Sequence, residues 1–282
     1  VSGFTTRFAP SPTGYLHRGH AFSALTAHQA ALEAQGRFLL RVEDIDRTRS
    51  RPEFEASILE DLAWLGLTWE APVRRQSEHM AHYAAALEQL AGRGVIYRCF
   101  RTRREVADAI ASAPHGPMEA FTGAPLPADE EARRIAAGEG FAWRLSLSAA
   151  EAALGGFGDL WFLETGAGPA GEAGAIVARP QVGGDVVLAR KDVGVAYHLA
   201  VVVDDALQGV THVIRGHDLF EAAHVQRLLQ ALLQLPTPTY RHHGLLTGPD
   251  GRRYAKRDQA ETLRALRERG VTAEDLRRDL GF

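Results

Sequence analysis

Cysteine is almost absent from this chain: Cys99 stands alone among 282 residues. One thiol excludes an internal disulfide framework and fits a reducing, cytoplasmic setting as the expected location. Lysine is nearly absent as well. Lys191 and Lys256 are the only two, and every other basic side chain is arginine. That skew reflects genome composition rather than function, but it singles out each lysine. No apolar run reaches the roughly 18–20 residues of a membrane helix, and the first residues carry neither a basic leader nor a continuous apolar core. Neither a membrane segment nor a secretory signal is therefore expected. A large excess of either charge is also missing. The net charge of −3 does not announce a nucleic-acid binder, nor does it exclude one, because the distribution of charge matters more than its sum.

What is present is concentrated first in Arg7-Phe8-Ala9-Pro10-Ser11-Pro12-Thr13-Gly14-Tyr15-Leu16-His17-Arg18-Gly19-His20. This reads as a short strand, a Pro/Gly-rich turn and a helix start. His17 and His20, three residues apart, share a helix face. Two imidazoles beside the free N–H groups of a helix N-terminus suit an anion, and Gly19 permits close approach of a ligand to the backbone. Such a site fits a triphosphate whose α-phosphorus is under attack. Alone, the stretch also fits a proline-rich loop before an ordinary helix.

Along the chain, Phe4 to Ala9 and Phe38 to Val42 read as buried strands. Helices are expected from His20 to Gln35, Glu53 to Leu65 and His79 to Arg93, with Pro52 at a first turn and Gly36 and Gly94 as stops. Val95 to Tyr97 reads as a third strand. Strands alternating with helices imply a parallel sheet in an α/β domain. From Cys99 to about Pro180 the pattern becomes Ala-, Gly- and Pro-rich, including the loop Ala113 to Pro117, and is expected to be an insertion apart from the main sheet. The α/β pattern resumes with Val186 to Arg190, an apolar run from Tyr197 to Val203, the strand Thr211 to Arg215 and the helix Leu219 to Leu235. Two basic helices follow a turn at Pro249 to Gly251. The expected division is thus 1–97 and 185–239 as two halves of a Rossmann-type domain, 98–184 as an α+β insertion domain, and 240–282 as a basic loop with a short helical tail.

Several groups are candidates for chemistry. Glu43 ends the second strand, the edge where open α/β sheets collect ligands. With Asp44 and Asp46 it could bind an ammonium group or a metal; Arg41 and Arg47 could equally pair with these acids. Arg7 and Arg215 lie on strands and could clamp a carboxylate bidentately, or each could form an ordinary ion pair. Tyr197 fits a core position as well as a ligand contact. Gly251 to Asp258 is a basic loop able to close over polyphosphate and stabilise developing charge.

Together these pieces resemble the class I glutamyl-tRNA synthetase group. The resemblance is carried by the segment Arg7 to His20, by Arg-Val-Glu-Asp-Ile-Asp-Arg at Arg41 to Arg47, and by the long match from Ala196 to Leu219. It runs from Thr5 to about Leu266 and is thin within the insertion. It implies a Rossmann-type catalytic core. It also implies ATP with Mg²⁺ as cosubstrate, contacted by Pro12, Thr13, Gly14, His17, Gly19, His20, Arg253 and Lys256. His17, His20 and Lys256 would be catalytic, the histidines stabilising the pentacoordinate α-phosphorus. L-Glutamate would be held by Arg7, Ala9, Ser11, Glu43, Tyr197 and Arg215, with Arg215 on its side-chain carboxylate and Glu43 on its ammonium. In the lysine loop Arg253 replaces the family's first lysine and Ala255 its serine, which changes the geometry of the charge and removes a hydroxyl. Because the chain ends soon after Lys256, it looks like the short paralogue group that esterifies the queuosine base of tRNA(Asp), and a monomer is expected.

Family members often hold zinc through Cys-x-Cys and Tyr-x3-Cys. Here only Cys99 of that set remains, with Phe121 and Pro125 in the later segment and His115 unable to complete a site alone. No structural zinc is expected, so the insertion must be held by packing around Phe141, Trp143, Trp161 and Phe162. Basic side chains at Arg98 to Arg104, Arg252 to Arg257 and Arg264 to Arg278 are candidates for tRNA phosphates or for local ion pairs. Rival readings are a compact glutamyl-tRNA synthetase acting on tRNA(Glu), an HxGH nucleotidyltransferase, and a non-catalytic tRNA-binding module.

Overall fold

A computed structural model describes residues 3–111, 120–190, 194–246 and 261–282. The loop Ala113 to Pro117, Lys191, and the loop carrying Arg253, Ala255 and Lys256 lie outside the described residues.

The chain opens with β1 (Thr5–Phe8), α1 (Arg18–Glu33), β2 (Arg37–Val42), α2 (Pro52–Trp64), β3 (Glu70–Arg75), α3 (Met80–Gly92) and β4 (Ile96–Cys99). Then come α4 (Arg103–Ala111), α5 (Ala128–Ala136), β5 (Ala142–Leu145), α6 (Leu147–Leu154), β6 (Trp161–Glu164), β7 (Gly174–Val177) and β8 (Val187–Arg190). The last elements are α7 (Tyr197–Leu207), β9 (His212–Gly216), α8 (Phe220–Leu233), β10 (Thr239–His243), α9 (Leu263–Glu268) and α10 (Ala273–Asp279). The expected strands and helices are present within a few residues. Strand β3 was not foreseen: Glu70 to Arg75 is polar and exposed or half-buried, so it carries no apolar run to read.

β1, β2 and β3 form one parallel sheet. β9 and β10 run parallel in a second. The two abut where the Thr211 N–H donates to the Thr5 carbonyl at 2.9 Å and the Thr5 N–H to the Thr211 Oγ1 at 2.9 Å. The succession β3-β2-β1-β9-β10 is that of a doubly wound fold. The crevice at the C-terminal ends of β1 and β9 is its topological switch point, where such folds bind ligands.

Both faces of the sheet are covered. Leu39 points into a core shared by α3, α7 and α8, while its neighbours Phe38 and Leu40 point into the other core with α1, α2, α9 and α10. Val213 and Ile214 on β9 divide in the same way. This is the alternation of a strand buried on both sides. The tail joins the second core through Leu263, Leu266 and Leu276, each without solvent exposure.

The insertion differs from the sequence expectation. β4, β5 and β8 form one antiparallel sheet, so strands on both sides of the expected boundaries at 97/98 and 184/185 belong together. β6 does not stand apart from the main sheet: it lies parallel to β10 with Glu164 opposite Tyr240, and β7 pairs on its outer edge. Of the four aromatics expected to pack the insertion, Phe162 is fully buried in the main core against Phe220 and Tyr240, whereas Trp161 is 57% exposed. Phe141 meets Trp143 edge-on, and Arg98 lies over the Trp143 ring at 4.5 Å. The knot of this region is Asp185, whose carboxylate accepts from Tyr97 Oη, Gly123 N and Leu147 N at 2.8–3.0 Å. That single buried acid ties together β4, the 121–123 segment and the start of α6.

Candidate active site

The turn after β1 is fastened on two sides. The Glu43 N–H donates to the Pro10 carbonyl and the Arg51 N–H to the Pro12 carbonyl, both at 3.0 Å. This brings the end of β2 beside the turn Pro10 to Thr13. The next structural event is the start of α1, where His17 is the N-cap. His17 Nδ1 accepts the Gly19 N–H at 3.1 Å, and His20 Nδ1 accepts the His17 N–H at 3.2 Å. The two rings lie 3.9 Å apart. The histidines therefore form a reciprocal cap, and an Nδ1 that accepts requires the neutral-ring proton to sit on Nε2. Gly19 has a role the sequence did not suggest: a Cβ there would approach His17 Cε1 to 3.0 Å. The tail docks alongside, with an isolated bridge between His17 and Thr262 and the Leu263 N–H on the Leu16 carbonyl.

A cavity of about 820 Å³ opens between this turn and the insertion. Of the expected residues, Ser11, Thr13, Glu43 and Tyr197 line it; from the insertion come Phe100, Arg101 and Phe141 among others. Arg7, Ala9, Pro12, Gly14, His17, Gly19, His20 and Arg215 do not line it. The acidic trio is dispersed. Asp44 accepts from Ser77 N and Oγ, Asp46 caps Thr48 and pairs with Arg49, and Glu43 alone joins the buried charges. Among the described residues no cluster of three metal-ligating side chains occurs.

Behind the cavity lies a charge network of which the sequence suggested only the Arg41–Glu43 pair. Asp205 of α7 accepts from Arg7 Nε at 3.0 Å and from Arg41 Nη1 at 2.7 Å. Arg41 also reaches Glu43 at 3.2 Å. Its neighbour Asp204 accepts from Arg74 Nε, Gln76 Nε2 and Tyr83 Oη at 2.7–2.9 Å. Arg41 and Asp204 have no solvent exposure. Burial would raise the Asp205 carboxyl, but Arg7 and Arg41 outweigh it and hold it below the usual range. For Glu43 burial wins, and its carboxyl is pushed up despite Arg41 and Arg7. The available signal was the acidic pair closing the apolar run Leu199 to Val203. Two acids on an otherwise buried helix demand partners.

Arg215 is the penultimate residue of β9 and is 5% exposed. Its Nε donates to His242 Nε2 at 3.1 Å and its Nη1 to Gln226 Oε1 at 2.9 Å. Its guanidinium lies over the Tyr240 ring. Among the described residues Nη2 is buried with no partner, and so is Nδ1 of His198 in the first turn of α7. Burial, with a smaller contribution from Arg215, depresses the His198 ring to about 4.

The tail arginines are engaged within the protein: Arg267 with Glu60 and Asp61, Arg269 with Glu261, Arg264 with Glu268, and Arg277 with the Leu65 carbonyl. Arg98 pairs with Glu131. Arg101 and Arg103, by contrast, are exposed at the cavity wall.

The catalytic-domain model of the class I tRNA synthetases (E and Q) matches residues 4–121 and 171–281. A glutamyl-Q tRNA(Asp) synthetase of Rhodobacter capsulatus is 49% identical over 98% of this chain and 99% of its own length. A glutamate–tRNA ligase of Paracoccus denitrificans is 38% identical over 96% of this chain, which spans 59% of that ligase. The crystal structure of a glutamate-tRNA synthetase from Elizabethkingia anophelis superposes with a TM-score of 0.75 at 25% identity, covering 95% of this chain and 54% of that one. With this architecture and these matches, the chain belongs to the class I tRNA synthetases (E and Q) and, within them, to the glutamyl-Q tRNA(Asp) synthetases.

Proposed function

We propose that this protein activates L-glutamate with ATP in the absence of tRNA and then transfers the glutamyl group to queuosine in the anticodon of tRNA(Asp). The observation that carries this reading is the near-full-length 49% identity to a glutamyl-Q tRNA(Asp) synthetase, against 38% for the glutamate–tRNA ligase. In the first step a carboxylate oxygen of glutamate attacks the α-phosphorus and pyrophosphate leaves. In the second a hydroxyl of the modified base attacks the activated carbonyl and AMP leaves.

The roles are assigned from the resemblance. His17 and His20, with Pro12, Thr13, Gly14 and Gly19, receive the ATP phosphates at the α1 N-terminus, whose dipole favours negative charge. Arg253 and Lys256, outside the described residues, are assigned to the triphosphate on the resemblance alone. Mg²⁺ would enter with ATP, the usual mode for this ion. Glu43 takes the substrate ammonium, with Ala9, Ser11 and Tyr197 shaping the pocket. Arg7 supports Glu43 through Asp205 and Arg41. Arg215 offers its unpartnered Nη2 to the side-chain carboxylate. Glutamine would be rejected because an amide cannot satisfy a desolvated guanidinium as a carboxylate does. Arg101 and Arg103 are assigned to tRNA phosphates, and a monomer in the cytoplasm completes the reading.

Purified protein given glutamate and ATP tests it with three acceptors: queuosine-containing tRNA(Asp), the same tRNA lacking queuosine, and tRNA(Glu). Transfer to the first alone is the expected result. Charging of tRNA(Glu) would instead make this a glutamate–tRNA ligase.

A further inference from the structure

A buried guanidinium normally sits against a carboxylate. Among the described residues Arg215 touches none; its partners are a histidine and a glutamine. The negative charge is one residue further out. Glu164, at the end of β6 and 1% exposed, accepts from His242 Nδ1 at 2.6 Å through one oxygen. Its other oxygen accepts the His242 N–H at 2.9 Å and the Gly166 N–H at 2.8 Å. The tautomer is thereby fixed: Nδ1 carries the proton toward Glu164, so Nε2 is left to accept from Arg215. The carboxylate is itself locked. A Cβ at Gly166 would fall 2.2 Å from the His242 carbonyl, so this loop reaches β10 only with glycine there.

Resting on the reading above, we infer that Glu164 and His242 are positioning residues that aim Arg215 at the substrate's side-chain carboxylate while keeping it unneutralised. The spacer is what matters. A carboxylate in direct contact with Arg215 would compete with the substrate for the same nitrogens. Placed behind a neutral imidazole, it offsets part of the desolvation of the cation yet leaves Nη2 for a ligand. Glu164 lies in the stretch between the two matched segments of the catalytic-domain model. The insertion thus supplies a residue to substrate selection, not only a surface for RNA.

The experiment is glutamate-dependent ATP–pyrophosphate exchange without tRNA, with KM for glutamate and ATP determined separately, on wild type, Arg215→Ala, Glu164→Gln, Glu164→Asp and His242→Asn. His242→Asn keeps a donor for Glu164 but removes the acceptor facing Arg215, together with the ring packed on Tyr240 and Phe220, so it tests the arrangement even if Glu164→Gln fails to fold. Glu164→Gln and His242→Asn are expected to raise the glutamate KM by about tenfold, as for loss of one bond to a charged group, with the ATP KM within about twofold of wild type. Glu164→Asp is expected to recover part of the loss. Glutamate is expected to lose its protection against thermal unfolding in the two variants, while ATP keeps its own. A glutamate KM unchanged in both, with activity lost in Arg215→Ala, overturns this inference and leaves the reading intact. A uniform loss in both KM values assigns Glu164 a merely structural role and also overturns it. No exchange in wild type overturns the reading itself.

Discussion

The Arg41 guanidinium and the Asp205 carboxylate meet at 2.7 Å in a site where the arginine has no solvent exposure. Because Asp205 also holds Arg7, its loss leaves Arg7 without its carboxylate and Arg41 with only Glu43 and Asp204. Asp205→Ala is expected to destabilise the fold by about 3–5 kcal/mol, read from urea unfolding at neutral pH. The same carboxyl is held below its usual range in the folded state. Its stabilising contribution is therefore present above the unfolded carboxylate value and is lost as pH falls through the folded value. An Asp205 variant is accordingly expected to lose part of the wild-type sensitivity to acid; an unchanged acid profile would count against this assignment.

Glu43 moves the other way. Burial raises its carboxyl, so protonation is easier in the folded protein, and ionised Glu43 costs stability as pH rises through its folded value. A substrate ammonium would favour the ionised form. The glutamate KM in pyrophosphate exchange is expected to climb as pH falls, with a midpoint above the ordinary glutamate value, before the substrate's own side chain titrates at about 4. Glu43→Gln is expected to show a high KM that is flat over this range. The same pH profile in wild type and Glu43→Gln would remove Glu43 from the ammonium site.

His17 and His20 carry both structure and chemistry. His17→Ala removes the α1 cap and is expected to cost about 1 kcal/mol in stability. If each ring also stabilises the pentacoordinate phosphorus, either alanine variant loses about a hundred- to thousandfold in exchange rate, far more than the cap accounts for. Melting and exchange measured on the same preparation separate the two effects.

For the insertion, Asp185→Ala leaves Tyr97 Oη, Gly123 N and Leu147 N without their shared acceptor. A loss of about 3 kcal/mol is expected, with proteolytic nicking between β4 and α6 appearing before global unfolding. Metal analysis is expected to find zinc well below one per chain, with melting unaffected by chelator. Stoichiometric zinc would place the stabilisation elsewhere.

The α/β half of the fold was legible because its elements are strongly marked: short strands holding apolar residues, Pro52 at a helix start, glycines at helix ends. The candidate residues His17, His20, Glu43 and Arg215 stand out because they sit in long ordered motifs. Strand β3 was not, since a polar edge strand has no apolar alternation to show. The membership of β6 was not, because its pairing with β10 is long-range and rests on one register position. The buried partners Asp205, Glu164 and His242 were hidden for a related reason. A charge is made necessary by what it meets in space, and Glu164 meets a residue 78 positions away.

The pairing of β6 with β10 also bears on modularity. A chain trimmed of residues 98–184 would not simply forfeit an accessory lobe. It would bare the flank of β10 as an unprotected edge, the kind that recruits other chains into aggregates, and it would take Glu164 with it. The insertion and the nucleotide fold are one cooperative unit at this seam, so exchange of insertions between relatives should succeed only when the strand, its glutamate and the facing histidine travel together.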